Sequence, residues 1–189
     1  DNFFDTYEGR TAALEQDMTV NKTMTIGDDL KMNINYDKPG MFGRLTPAEK
    51  VAYKTYYGKI ALEYEKVKSD SIALIKWKYQ RYLKDYLATA KSLDRNIGRI
   101  LAYLEQSGLA ENTVVMYASD QGFYMGEHGW FDKRFMYEES LKTPLVLKYP
   151  KHIKPGTEVN DIVVNIDFAP TFLDIAGVKA PVEMQGKSF

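Results

Sequence analysis

Apolar positions are scattered over the first 45 residues and then fall into a strict order. Residues 1–45 carry isolated aromatics with Gly9, Gly27, Gly40, Gly43 and Pro39, and sustain neither a 3.6-residue nor a 2-residue period. They read as a loop-rich, extended segment. A stretch of that length without elements of its own is uncommon inside a compact domain, so its support is expected in sequence outside this chain. Thr46-Pro47-Ala48-Glu49 changes the pattern. A hydroxyl N-cap, proline at the first helical position and Glu at the third predict a helix running to about Lys68, where Ser69-Asp70 breaks it or caps the next one. Tyr79, Leu83, Tyr86, Ala90, Leu93, Ile97, Ile100 and Leu104 then alternate in steps of four and three, which is one apolar stripe of a long amphipathic helix closed by Gly108. Trp77, Tyr82, Tyr86 and Tyr103 are read as packing groups on or beside that stripe, and Gly98 as a close helix-to-sheet contact.

Past the helix, Thr113-Val114-Val115-Met116-Tyr117-Ala118 is a short β-branched run ending in Ser119-Asp120. Pro144-Leu145-Val146-Leu147-Lys148-Tyr149 predicts a second strand and Ile162-Val163-Val164 a third. Asp167 is positioned to cap a helix over residues 168–176, stopped at Gly177. Helix, short connection and buried strand, with a functional loop at the strand's carboxyl end, is the order of an α/β layer structure. So few strands cannot make a sheet covered on both faces. The expected organisation is therefore a loop-rich segment over 1–45 and, over 46–189, part of a larger α/β domain whose sheet is incomplete here.

Composition narrows the function classes. The 25 Lys and Arg against 26 Asp and Glu give a net charge of -1, which supplies no global field for a nucleic-acid duplex. No apolar run approaches the roughly 20 residues of a membrane span. Zero cysteines exclude, within these residues, a disulfide framework, a cysteine zinc site and a cysteine nucleophile.

The candidate chemistry is crowded into residues 119–140, a connection with three glycines, a histidine and both signs of charge. Asp120 and Gln121 are adjacent oxygen donors at a strand end, suited to a hard divalent cation such as Ca²⁺ or Mg²⁺. The competing reading is that both satisfy backbone donors of a turn. Lys133 is placed to bind a divalent oxyanion and stabilise charge on a leaving oxygen, or is a solvated surface lysine. His128, between Gly126 and Gly129, is either a proton donor near neutral pH or a structural hydrogen-bonding group. His152 lies in a basic, turn-rich segment and is expected in solvent.

Ser119-Asp120-Gln121-Gly122, Gly126-Glu127-His128-Gly129, Lys133, Tyr137-Glu138-Glu139-Ser140 and Thr143-Pro144-Leu145 together resemble the type I sulfatases of the alkaline-phosphatase-like superfamily. Residues 79–104, Ser107-Gly108-Leu109-Ala110-Glu111-Asn112-Thr113, Asp167-Phe168-Ala169-Pro170-Thr171 and Gln185-Gly186-Lys187-Ser188 are similar to further parts of that family, so the match covers residues 75–189. Within the family, Asp-Gln-Gly with Phe131-Asp132-Lys133-Arg134-Phe135-Met136-Tyr137 looks most like bacterial N-acetylglucosamine-6-sulfatases.

The resemblance implies an α/β/α sandwich, Asp120 and Gln121 as Ca²⁺ ligands, and Lys133 in contact with the sulfate and its bridging oxygen. It adds His128 and Arg134 as substrate contacts, and glycosaminoglycan-type sulfated saccharides as substrates. The family's nucleophile is a formylglycine made from Cys or Ser in a Cys/Ser-X-Pro-X-Arg motif, and no such motif occurs here. The chain is accordingly read as a middle-to-C-terminal piece whose partner is the N-terminal half of the same domain, inactive alone. A periplasmic or extracellular bacterial location follows from the resemblance only. The rival readings are a phosphodiesterase or phosphomutase of the same superfamily, and a noncatalytic glycan-binding module.

Overall fold

The computed structural model describes residues 2–32 and 34–189, which divide into two compact units. The first comprises Asp1–Tyr103 with Gln121–Thr143, and the second Leu104–Asp120 with Pro144–Phe189.

In the first unit, α1 (Ala12–Gln16) is followed by turns, a 3₁₀ turn at Phe42–Arg44, and α2 (Pro47–Val67). The helix start is the one the sequence predicts. The Thr46 hydroxyl accepts from the Glu49 amide at 3.3 Å, and the Glu49 carboxylate accepts from the Thr46 amide at 2.8 Å. The Thr46 amide and hydroxyl, both donating to the Glu49 carboxylate at 2.8 Å, hold its pKa below the usual range. Asp70 caps the next helix by accepting from the Ile72 and Ala73 amides at 3.0 and 2.9 Å. That helix, α3, runs Ser71–Gln106.

The two helices meet through Tyr64 and Trp77, whose rings are 5.6 Å apart. A polar knot joins them as well: Asp85 pairs with Arg81 and accepts from the Tyr57 hydroxyl.

The first 45 residues are loop-rich, with α1 and one 3₁₀ turn as the regular elements among the described residues, but their support lies within this chain, contrary to expectation. Met18, Val20, Met24, Leu30, Met32 and Tyr36 are buried and supply most of the core. Val20, Met24 and Leu30 cluster with Ile75 against Phe3, Trp77, Tyr79, Tyr82 and Phe131. Met18 packs with Tyr124 and Trp130. The segment thus leans on α3 and on residues 123–137 of its own chain. Sequence periodicity misses this because a chain laid across a surface by turns buries one residue here and two there, with no repeat. Lys78, only 8% exposed, ties the segment down by donating to the Met24 carbonyl at 2.8 Å and the Asn21 carbonyl at 3.3 Å. Burial lowers its pKa.

The rest of the first unit is a hairpin of two-residue strands, β2 (Tyr124–Met125) and β3 (Phe131–Asp132), and the single turn α4 (Glu138–Leu141). The strands pair antiparallel, Tyr124 opposite Asp132 and Met125 opposite Phe131.

The second unit begins with the last turn of α3. Gly108 has φ +72°, and the Leu109 amide returns to the Leu104 carbonyl at 3.0 Å, so the predicted glycine stop is correct. Strand β1 (Val115–Ala118) pairs with β4 (Leu145–Lys148) in antiparallel register, Val115 opposite Lys148 and Ala118 opposite Leu145. Residues 162–164 form no strand, contrary to expectation. The Asp167 carboxylate accepts from the Val164 amide at 2.9 Å, which bends the chain into a 3₁₀ turn at Asn165–Asp167 before it can pair. Helix α5 (Phe168–Ile175) follows, stopped at Gly177 with φ +69°. Asp167 does not cap α5 through its side chain. Its carboxylate instead takes the Val164 and Lys187 amides, which lower its pKa.

Much of the apolar stripe on α3 is uncovered: Leu93 is 48% exposed and Ile100 58%. Gly98 has nothing within 4 Å of where a Cβ would stand, so no sheet packs closely on it among the described residues.

Candidate functional site

The hairpin β2–β3 is built by glycine and by one carboxylate. Gly126 has φ +115°, and an added Cβ would stand 2.3 Å from Tyr79 Cε2, so glycine is required for the turn and for its approach to α3. Glu127 Oε2 accepts from the Met125 amide at 2.7 Å, and the Gly126 amide donates to the Trp130 carbonyl at 3.0 Å. The loop is closed at its base by Gly122 and Phe123, whose amides donate to the Ser140 and Glu139 carbonyls at 2.8 and 2.6 Å. A Cβ on Gly122 would stand 2.1 Å from the Glu139 oxygen.

His128 sits at the hairpin tip in the left-handed region, φ 58°. Its ring packs beside Trp130 and Tyr137 at centroid distances of 5.0 and 5.5 Å. Asp5 Oδ2 lies 2.9 Å from Nδ1, and because a carboxylate only accepts, Nδ1 carries the proton. Asn2 accepts from the His128 amide at 3.1 Å, and the Tyr7 hydroxyl donates to the His128 carbonyl. The bond from the Tyr7 amide, then the His128 hydrogen bond, and the nearby Arg10 charge hold the Asp5 carboxyl below the usual range. Burial and the Asp5 charge push the Tyr7 phenol up to about 12. His128 is therefore engaged on its ring, its amide and its carbonyl.

Lys133 follows β3 directly and is exposed; its carbonyl accepts from the Ser140 hydroxyl at 3.0 Å, and its ammonium makes no ion pair among the described residues. Arg134 is held by Asp17, with Nη1 3.0 and 2.9 Å from its two carboxylate oxygens, and its Nη2 is 3.5 Å from Asp132. Lys133, His128 and Arg134 thus share one hairpin and the turn after it. Gln121 is the first residue of the returning segment of this unit, whereas Asp120 ends the second unit beyond β1. Asp120 is exposed, and its carbonyl accepts from the Asn165 amide group at 2.9 Å. His152 stacks on Tyr149, 4.2 Å between centroids, and faces solvent as expected.

The donor types of Asp120 and Gln121 suit a hard cation, and their number does not: Ca²⁺ takes six to eight oxygens. Among the described residues no group of three or more His, Asp or Glu side chains gathers to hold a metal. The pair is at most part of a coordination shell.

Sequence reasoning missed Asn2, Asp5, Tyr7 and Asp17, which fix the positions of His128 and Arg134. No local signal marks them, because each acts on a residue more than 110 positions away.

Comparison with known proteins agrees with the motif set. The family described as N-sulphoglucosamine sulphohydrolase, C-terminal, matches residues 126–189. The N-acetylglucosamine-6-O-sulfatase of Bacteroides thetaiotaomicron is 47% identical over 196 residues, covering 99% of this chain and 35% of that protein. Human arylsulfatase K is 34% identical over 150 residues, covering 66% of this chain and 28% of its own length. A protein solved in complex with its substrate, D-glucosamine-2-N,6-O-disulfate, superposes with a TM-score of 0.89 at 47% identity, over 99% of this chain and 40% of that one. The chain belongs to the sulfatase family, with its alkaline-phosphatase-like α/β fold. It spans about a third of the length of the curated relatives named here.

Proposed function

We propose that the whole protein to which this chain belongs is a sulfuric ester hydrolase that removes 6-O-sulfate from N-acetylglucosamine units of glycosaminoglycan-type saccharides. The observation that carries this is the 47% identity to an N-acetylglucosamine-6-O-sulfatase across 99% of the chain. A similar protein was solved with a glucosamine disulfate as its substrate, which favours the same sugar class here.

In this reading Asp120 and Gln121 contribute two oxygens to a Ca²⁺ site completed by residues outside this chain. The bound cation supplies positive charge against the sulfate oxygens. Lys133, a compact ammonium free of ion pairs among the described residues, faces the sulfate group and stabilises charge on the leaving oxygen as the ester bond breaks. Arg134 and His128, both engaged within the loop, support its shape and touch sugar only at its edge. The nucleophile is supplied by formylglycine in upstream sequence, so residues 46–189 form part of the catalytic α/β domain and do no chemistry alone. The relatives' class suits export to the periplasm or cell surface.

The test is sulfate release by the full-length, formylglycine-matured protein from 6-O-sulfated N-acetylglucosamine, with and without chelator. Release that requires Ca²⁺ is expected. Lys133→Ala lowers kcat by about 10²-fold or more, with the thermal midpoint unchanged; full activity in that variant removes the role given to Lys133. Turnover of phosphodiesters in place of sulfate esters would shift the assignment to the phosphoryl-transfer branch.

A further inference from the structure

We infer that Asp5 is a positioning residue for Lys133: through His128 it pins the tip of the hairpin whose second strand ends one residue before Lys133. The inference rests on the role proposed for Lys133.

His128 has a backbone conformation that non-glycine residues rarely adopt, and such residues persist only where their surroundings over-determine them. Here the surroundings come from one short stretch far away in sequence. Asp5 takes the ring proton at 2.9 Å, Asn2 takes the amide at 3.1 Å, and Tyr7 donates to the carbonyl. Arg10 Nη1, 3.0 Å from the same Asp5 oxygen, orients the carboxylate in turn. Asp5 and His128 side chains are 14% and 15% exposed, so the pair is mostly shielded from solvent and salt.

The same stretch continues along the hairpin. The Val20 amide donates to the Gly129 carbonyl at 2.9 Å, Thr19 bridges Trp130, and the Phe131 amide donates to the Met18 carbonyl at 2.8 Å. Residues 18–20 therefore lie along residues 129–131, the approach to β3 and its first residue, as an added edge, and the Asp17 ion pair with Arg134 follows just past Lys133. Hydrogen bonds from the early segment thus reach His128, Gly129, Trp130, Phe131 and Arg134. Lys133 is exposed and makes no ion pair among the described residues, within a strip held on both flanks, while its neighbour Arg134 is paired with Asp17.

Such bracing matters because a displacement of about 1 Å at a charge-stabilising group costs on the order of 10²-fold in rate. A residue that acts only through stability would change how much enzyme is folded, and leave kcat per folded molecule untouched.

The experiment uses the full-length protein and the variants Asp5→Ala, Asp5→Glu and His128→Asn, with Lys22→Ala as a control on the same segment. Two readouts are taken: kcat and KM per folded molecule for sulfate release, and the rate of trypsin cleavage after Lys133 and Arg134. Asp5→Ala should lower kcat by about 10-fold to 100-fold with KM within about 3-fold, and speed cleavage at Lys133 about 10-fold or more. Asp5→Glu, which keeps the acceptor, should recover part of both. His128→Asn tolerates the left-handed backbone and should fall between wild type and Asp5→Ala, which keeps the question open to test if Asp5→Ala fails to fold. Unchanged cleavage and kcat within 2-fold in Asp5→Ala overturn the inference. Wild-type protein that releases no sulfate would defeat the functional reading alone, since the cleavage rates still report whether Asp5 fixes the strip.

Discussion

Gly126 combines two demands on one residue: φ of +115° and a hairpin that comes within 2.3 Å of the Tyr79 ring at the Cβ position. Relief of the contact needs movement of a ring packed against Phe3 at 4.7 Å, and the backbone strain remains in any case. Gly126→Ala is therefore expected to destabilise the protein by about 2 kcal/mol or more, seen as a lower urea midpoint with an unchanged slope. At this scale the sequence was informative in a lopsided way. Lys133, Asp120, Gln121 and His128 stand in a motif dense enough to find, and the Gly126–Gly129 spacing announces a turn. The residues that hold them were invisible. Asn2, Asp5 and Asp17 are ordinary polar residues in a segment without periodicity, and only the folded chain brings them across.

Among the elements, α2 owes its start to a reciprocal pair of bonds between Thr46 and Glu49, readable from four residues because a capping box is a local device. Thr46→Ala should cost about 1 kcal/mol. The Glu49 pKa is lowered by the bonds its carboxylate accepts from the Thr46 amide and hydroxyl, so its contribution is complete above the ordinary glutamate range and is lost as pH falls through the lowered value. A pH titration of unfolding free energy should accordingly show a smaller acid-side loss in Thr46→Ala than in the parent. The strands show where local reading stops. β1 and β4 were found because each carries four apolar-rich residues, while β2 and β3, at two residues each, are too short for a period of two to register. Residues 162–164 have strand composition, but a carboxylate three residues on captures the amide that a ladder would use.

For the molecule as a whole, the α/β class was legible from the order of helix and strand, and the place of the core was not. The buried residues of the early segment, Met18, Val20, Met24 and Leu30, pack on groups 45 to 112 positions later, contacts that no window along the chain contains. Contacts of that span close late, because their loop entropy is lost before any apolar burial offsets it. In refolding of the full-length protein followed by pulsed hydrogen exchange, the amides of α2 and α3 should gain protection before the Val20 and Phe131 amides that join the early segment to the hairpin. Coincident rates would contradict that order.

The edge that residues 18–20 add along residues 129–131 thus has a temporal meaning besides its spatial one. The segment is synthesised before the hairpin it braces, and must wait more than 100 residues for it. Helices 21 and 36 residues long can form in the interval, yet Lys133 has no fixed place until the two ends of the first unit meet. Alignment of that lysine is then a late product of folding, so a half-folded chain carries the residue without carrying the arrangement.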